Sequence, residues 1–158
     1  MEKIIPEFYT VLNDEDYEIA KNLFREYADE LEINLDFQDF DEELVSIKQQ
    51  YKKPNGGIII LKFDNKACGC VGIRRFENNI CELKRMFIRY IYRGKGFGRL
   101  LLCNAIEMAK SLKYNKIRLD TLPTMDKASY IYKKAGFNEI ESYRYNPVPG
   151  TKFFELNI

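Results

Sequence analysis

Three glycines and three basic residues share the segment from Arg93 to Arg99. The glycines stand at positions 94, 96 and 98, and Lys95 lies between the first two. An apolar, strand-like run precedes the segment, and an amphipathic helix pattern begins within it. The first N–H groups of a helix lack intrahelical partners, and glycine allows the backbone to approach a ligand closely. We therefore predict a diphosphate-binding loop here.

The spacing of the glycines narrows the choice of diphosphate. The dinucleotide fingerprint G-x-G-x-x-G and the P-loop G-x-x-x-x-G-K-[ST] both need other spacings. Arg93, Gly96 and Gly98 instead fit [QR]-x-x-G-x-[GA] residue for residue. This pattern resembles the coenzyme A diphosphate loop of the GNAT superfamily of N-acetyltransferases. A glycine-rich turn without a ligand is the alternative interpretation of so short a motif.

The chain contains no histidine, which excludes Ser-His-Asp and Cys-His catalysis. Its four cysteines, at positions 68, 70, 81 and 103, form no C-x-x-C pair, and we expect buried thiols in a reducing compartment. A zinc site would need an unusual ligand set, so we expect no metal. Acid–base chemistry must come from carboxylates, tyrosines, lysines, a cysteine or water.

Length and composition indicate one ordinary globular domain over residues 1–158. A net charge of +1 gives no reason to expect a nucleic-acid partner. The apolar runs are too short to span a membrane, and the N terminus shows no secretory leader. We predict a cytoplasmic location with neither a membrane nor a nucleic-acid partner.

The hydrophobic periodicity of the first half predicts a strand over residues 4–12, a helix over about 14–31 with Asn13-Asp14 as the N-cap, and a shorter helix over about 40–51. Three β-rich runs then follow, joined by tight polar turns. They cover residues 58–63, 67–76 and 80–89 and predict an antiparallel meander.

The second half predicts a helix from Phe97 to about residue 113 and a strand over residues 116–121. This strand completes a β-α-β unit and should lie parallel to residues 80–89. A short helix ending at Gly136 and strands over residues 137–145 and 152–158 complete the chain. The sum is an α/β fold with a mixed, mostly antiparallel sheet of about seven strands and helices on both faces.

A second motif strengthens the resemblance. The segment Tyr132-Lys-Lys-Ala-Gly-Phe137 resembles the GNAT motif Y-x-x-x-G-F, at the expected distance after the glycine loop. The order of elements resembles the single-domain GNAT fold over essentially the whole chain, and residues 81–122 and 146–150 resemble a bacterial subgroup. The resemblance implies an acetyl-CoA-dependent N-acetyltransferase in which a primary amine of a small molecule attacks directly in a ternary complex.

The resemblance also implies which residues bind the co-substrate. In the family, the fourth strand splays from the fifth, and its free backbone pairs with the pantetheine arm and polarises the thioester carbonyl. Carried over by position, the residues predicted to contact acetyl-CoA are Met86, Phe87, Ile88, Arg93, Gly94, Lys95, Gly96, Phe97, Gly98 and Arg99.

Three residues are candidates for acid–base roles by the same resemblance. Tyr132 is implied as the acid for the leaving thiolate, a role that a phenol can fill without prior ionisation. Glu82 and Asp120 match two family positions for a general base, each with its pKa raised by partial burial. Water, or an already neutral amine, is the third option. A surface ion pair with Lys84 or Arg85 is the alternative role for Glu82.

Four basic residues on adjacent predicted strands remain: Arg74, Arg75, Lys84 and Arg85. Their simplest interpretation is solvated strand edges. The alternative, functional interpretation is a site for an acidic group of the substrate or the cofactor.

Other functions remain open from the sequence. A peptide or protein N-acetyltransferase would have an open, acidic groove, and a non-catalytic acyl-CoA-binding protein would share the fold without turnover. A nucleotide-binding module is disfavoured by the glycine spacing. We expect the acceptor pocket to form from the N-terminal helices and residues 37–40 and 143–150. Exposed C-terminal strands leave a homodimer open.

Overall fold

The computed structural model describes residues 3–158, whose strands form one sheet in the order β1-β2-β3-β4-β5-β7-β6. The strands are β1 (Glu7–Thr10), β2 (Gly57–Phe63), β3 (Lys66–Glu77), β4 (Ile80–Ile88), β5 (Lys116–Thr121), β6 (Asn138–Ile140) and β7 (Lys152–Asn157). The helices are α1 (Asp14–Leu31), α2 (Phe40–Val45), α3 (Ile47–Gln50), α4 (Phe97–Ser111) and α5 (Asp126–Lys134). The predicted fold class is confirmed.

The β4–β5 pair is the one parallel pairing in this sheet over residues 3–158, as the β-α-β pattern predicts. Its register covers only residues 80–82 of β4 against residues 116–118 of β5. Beyond Glu82 and Arg118 the two strands separate. The rest of β4 therefore turns a backbone edge without a strand partner toward β5, which is the splay expected from the resemblance.

A β-bulge in β4 determines which side chains face which helical layer. Arg85 has a positive φ of 58°, and the pairing with β3 shifts register at this point. Because of the extra residue, the neighbouring Lys84 and Arg85 both turn toward the α1–α2 side, where they contact Gln38 and Glu43. Leu83 instead joins the core beneath α4.

Two hydrophobic cores hold the helices on opposite faces of the sheet. The core on the α4 face contains Leu83, Leu101, Leu102, Ala105, Ile117, Leu119, Tyr132 and Phe154. The core on the α1 face contains Tyr17, Leu23, Phe24, Ile47, Tyr51, Ile58, Ile60 and Phe87. The helix predicted over residues 14–31 is confirmed, and Asn13 caps it by accepting the N–H of Asp16 at 2.8 Å.

Three predicted elements differ from the structure. The helix predicted over residues 40–51 breaks at Ser46, whose hydroxyl donates to the carbonyl of Glu42 at 2.7 Å. The first strand is shorter than predicted. The strand predicted over residues 137–145 ends at Ile140, since Tyr143 and Arg144 leave the sheet to contact Glu82.

The prediction that all four cysteines are buried is wrong for Cys103. Cys68, Cys70 and Cys81 are buried. Cys103 is exposed on the solvent face of α4, whereas the core residues of this helix lie on its opposite face. Within residues 3–158, no helix combines the length and the apolar character needed to span a membrane. The cytoplasmic location stays a prediction.

Candidate active site

The gap between β4 and β5 begins where their pairing ends, and Met86, Phe87 and Ile88 lie along its β4 side. Phe87 is buried in the α1-face core, while Met86 and Ile88 pack against the α4-face core. The side chains are thus used for packing, and the backbone edge that faces β5 has no strand partner there. Backbone N–H and C=O groups at such an edge are available to an extended ligand.

The glycine loop has the conformation that its glycines permit. Gly94 and Gly96 have φ values of 79° and 82°, which a residue with a Cβ rarely adopts. A Cβ built on either residue would meet no atom within 4 Å, so the space beside the loop is open. The first helical hydrogen bond of α4 joins the N–H of Leu100 to the carbonyl of Gly96 at 3.4 Å. The N–H groups of residues 97–99 therefore lie free at the helix start, in the geometry that binds an anion.

Gly98 and Phe97 have packing roles in the same motif. A Cβ on Gly98 would lie 3.1 Å from Cδ1 of Ile131 and 3.7 Å from Cδ1 of Ile88. Gly98 thus allows α4 to approach α5 and β4 closely. Phe97 is buried, with its ring centroid 5.1 Å from that of Phe63. Both residues position the loop through contacts within the protein.

The three cations of the loop divide into one that is paired and two that are not. Arg93 donates from Nε to the carbonyl of Ile88 at 2.8 Å and forms an ion pair with Glu30. It therefore fastens the loop to β4 and α1. Lys95 and Arg99 are exposed and form no ion pair with any residue in 3–158. These two charges are therefore available to an anionic ligand.

Glu82 is buried and fully engaged. Its Oε1 accepts from Nη2 of Arg74 at 3.3 Å, and its Oε2 accepts from the hydroxyl of Tyr143 at 2.8 Å and from Nη1 of Arg144 at 2.6 Å. Burial alone would raise the pKa of Glu82, but Lys84, Arg144 and Arg74 outweigh burial and lower this pKa to about 2. The expected rise in the pKa is therefore wrong, and so is the alternative of a surface ion pair. A carboxylate in this state is a weak base.

Arg85 forms a second buried ion pair beside Glu82. It donates from Nε and Nη2 to the two carboxylate oxygens of Glu43, at 3.0 and 2.9 Å. The hydroxyl of Tyr51 donates to the same carboxylate at 3.0 Å, and the guanidinium carbon of Arg85 lies 5.0 Å from the centroid of the Phe40 ring. This bidentate pair, covered by aromatic rings, holds α2 against β4.

Lys84 is a buried amine on the same face. Its Nζ donates to Oε1 of Gln38 at 3.3 Å. Burial and the neighbouring Arg85 lower the pKa of Lys84 to about 7, although Glu82 acts in the opposite direction. The interpretation of the four basic residues as solvated strand edges is wrong except for Arg75, which is exposed.

Asp120 lies near the end of β5, on the other side of the gap. Its Oδ2 accepts from Nε2 of Gln38 at 3.4 Å and from Nδ2 of Asn146 at 3.1 Å, while its Oδ1 accepts no hydrogen bond from residues 3–158. Asp120 also lines a narrow cavity with Tyr27 and Thr121. The hydroxyl of Thr121 is the one fully buried side-chain polar group in the described chain that has no hydrogen-bond partner.

Tyr132 extends from α5 into the α4-face core. Its ring lies 5.7 Å from that of Phe137 and 6.2 Å from that of Phe154, measured between centroids. Burial raises the pKa of Tyr132, and the nearby Tyr27 and Asp120 raise it further. The hydroxyl, which forms no hydrogen bond with residues 3–158, therefore stays protonated and can donate a proton.

Five polar residues of this site were not predicted individually: Gln38, Glu43, Tyr143, Arg144 and Asn146. All five lie in the segments expected to line the acceptor pocket, Glu43 in the second N-terminal helix. Glu43 carried a signal of its own, because it occupies the apolar i, i+3, i+7 face of its helix with Phe40 and Ile47. An acidic residue on that face needs a buried partner, which here is Arg85.

No three side chains of histidine, cysteine, aspartate or glutamate come together in a metal-binding cluster among residues 3–158. The expectation that the chain uses no metal stays a prediction.

A sequence model of the acetyltransferase (GNAT) family matches residues 17–137 of the chain. The chain belongs to the GNAT family. It is 34% identical over 146 residues to an uncharacterized N-acetyltransferase of Schizosaccharomyces pombe, a match that covers 91% of this chain and 90% of that protein. It is 31% identical over 110 residues to N-acetylaspartate synthetase of Xenopus tropicalis, covering 68% of this chain and 41% of that protein.

The fold is also similar to solved structures. An acetyltransferase of the GNAT family from Staphylococcus aureus superposes with a TM-score of 0.78 at 24% identity, covering 97% of this chain and 99% of the other. The protein is thus a GNAT N-acetyltransferase, and membership in the family implies acetyl-CoA as the co-substrate. The two relatives named above are eukaryotic, so the bacterial subgroup stays a prediction.

Proposed function

We propose that this GNAT N-acetyltransferase transfers the acetyl group of acetyl-CoA to a primary amine of a small molecule, by direct attack in a ternary complex. The observation that carries the proposal is that two side chains cover the carboxylate of Asp120. Gln38 and Asn146 come from opposite ends of the chain and both donate to its carboxylate. A site closed in this way accommodates a small acceptor better than a polypeptide. N-acetylaspartate synthetase, whose name specifies a small acetylated product, supports the same class of acceptor.

The loop and the gap together fit coenzyme A. The free N–H groups at the start of α4, with Lys95 and Arg99, would hold the diphosphate. The open β4 edge at residues 86–88 would bind the amide groups of the pantetheine arm. Bound acetyl-CoA supplies the activated acetyl thioester. An N–H group on the β4 edge would stabilise the negative charge that develops on the thioester oxygen.

Of the three options for the base, the geometry favours Asp120. Both oxygens of Glu82 already accept charged or phenolic donors, and its pKa of about 2 leaves it little tendency to take a proton. Asp120 keeps one oxygen without a hydrogen bond from residues 3–158 and lines a narrow cavity with Tyr27 and Thr121. We propose that Asp120 takes the proton of the acceptor amine, directly or through a water.

We propose that Tyr132 acts as the acid. Its raised pKa keeps the hydroxyl protonated at neutral pH, so the proton is available to a leaving thiolate. Tyr130, two residues earlier on α5, is exposed and points elsewhere. The pair of Asp120 and Tyr132 would thus move one proton off the amine and one onto the thiolate.

The direct test combines binding and turnover. Acetyl-CoA is titrated calorimetrically into the wild type, into Lys95→Gln and into Lys110→Gln, which neutralises an exposed lysine at the far end of the same helix. We expect binding to weaken by about tenfold for Lys95→Gln, as a charge-assisted contact is lost, and to be unchanged for Lys110→Gln. The absence of acetyl-CoA binding to the wild type would overturn the proposal.

Turnover separates the proposed function from its alternatives. A panel of small primary amines and a panel of peptides are incubated with the wild type and acetyl-CoA, and free thiol is measured. Small amines should react at least about a hundredfold faster in kcat/KM than peptides. Preferential acetylation of peptides would favour a protein N-acetyltransferase. Binding of acetyl-CoA with no turnover of either panel would favour a non-catalytic acyl-CoA-binding protein.

A further inference from the structure

A polar pocket of about 400 Å³ opens beside Glu82 on the face of the sheet that carries α3. It is lined by Gln49, Gln50, Asn55, Arg74, Arg75, Phe76, Glu82 and Arg144. The volume is that of a small-molecule site. Neither the diphosphate loop nor the gap used by the thioester includes this pocket, so the proposed reaction leaves it without a role.

The charge of the pocket is unbalanced. Three guanidinium groups line it, from Arg74, Arg75 and Arg144, against the single carboxylate of Glu82. The side chains of Arg74 and Arg144 are only 15% and 22% exposed, so their charges are poorly screened by solvent. A ligand with a negative group would complete the charge balance of this pocket.

Unused hydrogen-bond donors also favour an anionic ligand in this pocket. Arg144 uses one N–H group on Glu82 and makes no other side-chain hydrogen bond in residues 3–158. Arg75 makes none to any residue of the described chain, whereas Arg74 donates to Glu43, Gln50 and Glu82. Since a guanidinium offers five N–H donors, Arg75 and Arg144 retain a fork each for an acidic group.

The register of β4 against β5 relates the pocket to the proposed acceptor site. Arg118 on β5 pairs in register with Glu82 on β4, and Asp120 lies two residues further along β5. Two residues of a strand span about 7 Å. A molecule that reaches from the pocket to Asp120 would therefore carry an acidic group and an amine separated by several bonds.

We propose that this pocket binds an anionic group of the acceptor, and that the acceptors of this enzyme are amines bearing a carboxylate or phosphonate several bonds from the nitrogen. This proposal rests on the proposed function. Glu82 acts in it as a positioning residue that holds Arg74 and Arg144 at the pocket wall.

Anion binding is tested first, without any turnover. Succinate and the uncharged succinamide are titrated calorimetrically into the wild type at low ionic strength. We expect succinate to bind at least about tenfold more tightly than succinamide, and Arg75→Gln to reduce succinate binding at least about fivefold. Arg25→Gln, at an exposed arginine of α1, and Lys95→Gln, in the diphosphate loop, should leave succinate binding unchanged. Succinate binding that is absent, or that is insensitive to Arg75→Gln, would overturn the proposal.

Acceptor selectivity is tested next with matched amines. We expect 5-aminopentanoate to have a kcat/KM at least about tenfold higher than pentylamine, with the difference in KM, and Arg75→Gln to abolish this preference. The compound 3-aminopropylphosphonate distinguishes a phosphonate from a carboxylate. Equal rates for charged and neutral amines, unchanged in Arg75→Gln, would overturn the proposal and leave the proposed function intact. If no amine reacts, the proposed function fails, and the succinate titration still decides the anion site.

Discussion

Nη1 of Arg144 lies 2.6 Å from Oε2 of Glu82, although the two residues are 62 positions apart in the chain. This contact joins the connection between β6 and β7 to the central strand β4. Together with Arg74, it converts Glu82 from a candidate base into a buried anchor for two guanidinium groups. The same connection places Asn146 against Asp120, so one segment contributes both to the contacts of Asp120 and to the pocket beside Glu82.

We predict that Glu82→Gln lowers the free energy of unfolding by about 2–4 kcal/mol at pH 7, because it leaves the poorly exposed guanidinium of Arg144 without a counter-charge and removes one of the two carboxylates that pair with Arg74. The pKa of Glu82 is about 2 in the folded protein against 4.5 ordinarily. Its contribution is therefore complete above about pH 4.5 and is lost as the pH falls toward 2. Urea unfolding at several pH values should show the difference between variant and wild type narrowing over this range.

The matched control for this measurement is Glu77→Gln, whose carboxylate is 56% exposed and pairs with Arg118 at 3.6 Å. Glu77→Gln should lower the free energy of unfolding by no more than about 0.5 kcal/mol. A Glu82→Gln variant that is as stable as the wild type but inactive would instead identify Glu82 as the base.

We predict that Asp120→Asn lowers kcat by about 10²–10⁴-fold while the stability changes by less than about 1 kcal/mol. The donors to Asp120 are the neutral amides of Gln38 and Asn146, and the carbonyl of an introduced asparagine can still accept from them. Steady-state kinetics at saturating acetyl-CoA and urea unfolding test the two parts. A kcat within about threefold of the wild type would mean that water, or an already neutral amine, makes the base unnecessary.

We predict that Tyr132→Phe lowers kcat by at least about a hundredfold and leaves stability within about 0.5 kcal/mol of the wild type. The removed hydroxyl makes no hydrogen bond within residues 3–158, so only its proton is lost, and the affinity for acetyl-CoA should not change. Tyr130→Phe, on the exposed side of α5, serves as the control and should behave as the wild type. A weaker affinity for acetyl-CoA together with an unchanged kcat would contradict the role of Tyr132 as an acid.

We predict that Lys84→Met raises the free energy of unfolding by about 1–3 kcal/mol at pH 6, since an apolar side chain replaces a buried charge. The pKa of Lys84 is about 7 in the folded protein against 10.5 ordinarily. Below pH 7 Lys84 is charged in both the folded and the unfolded protein, and burial of this charge then destabilises the folded protein most. Between pH 7 and 10.5 only the unfolded chain keeps the proton, so the wild type gains stability relative to the variant.

Chemical unfolding of both proteins between pH 6 and pH 9.5 measures this convergence. Lys66→Met, at an exposed lysine of β3, should show no such pH-dependent difference. A Lys84→Met variant that is less stable than the wild type at pH 6 would show that the amine contributes more through Gln38 and Glu82 than its burial costs.

Local patterns were sufficient for the elements whose determinants lie close together in sequence. The periodicity of α1, the cap at Asn13 and the glycine loop follow from contacts or conformations within a few residues, and the parallel pairing of β5 follows from the β-α-β order of elements. The strand predicted over residues 137–145 was too long, because its composition suits a strand while distant bonds to Glu82 draw Tyr143 and Arg144 out of the sheet.

The sequence by itself determined the fold, and its resemblance to the GNAT family supplied a candidate diphosphate loop and three candidates for proton transfer. Only the tertiary structure decided what state those residues are in. The pKa of Glu82 depends on Arg74 and Arg144, and the free oxygen of Asp120 depends on where Gln38 and Asn146 donate. These partners lie far away along the chain, and electrostatic interactions depend on distance in space and on burial, which the order of residues does not state.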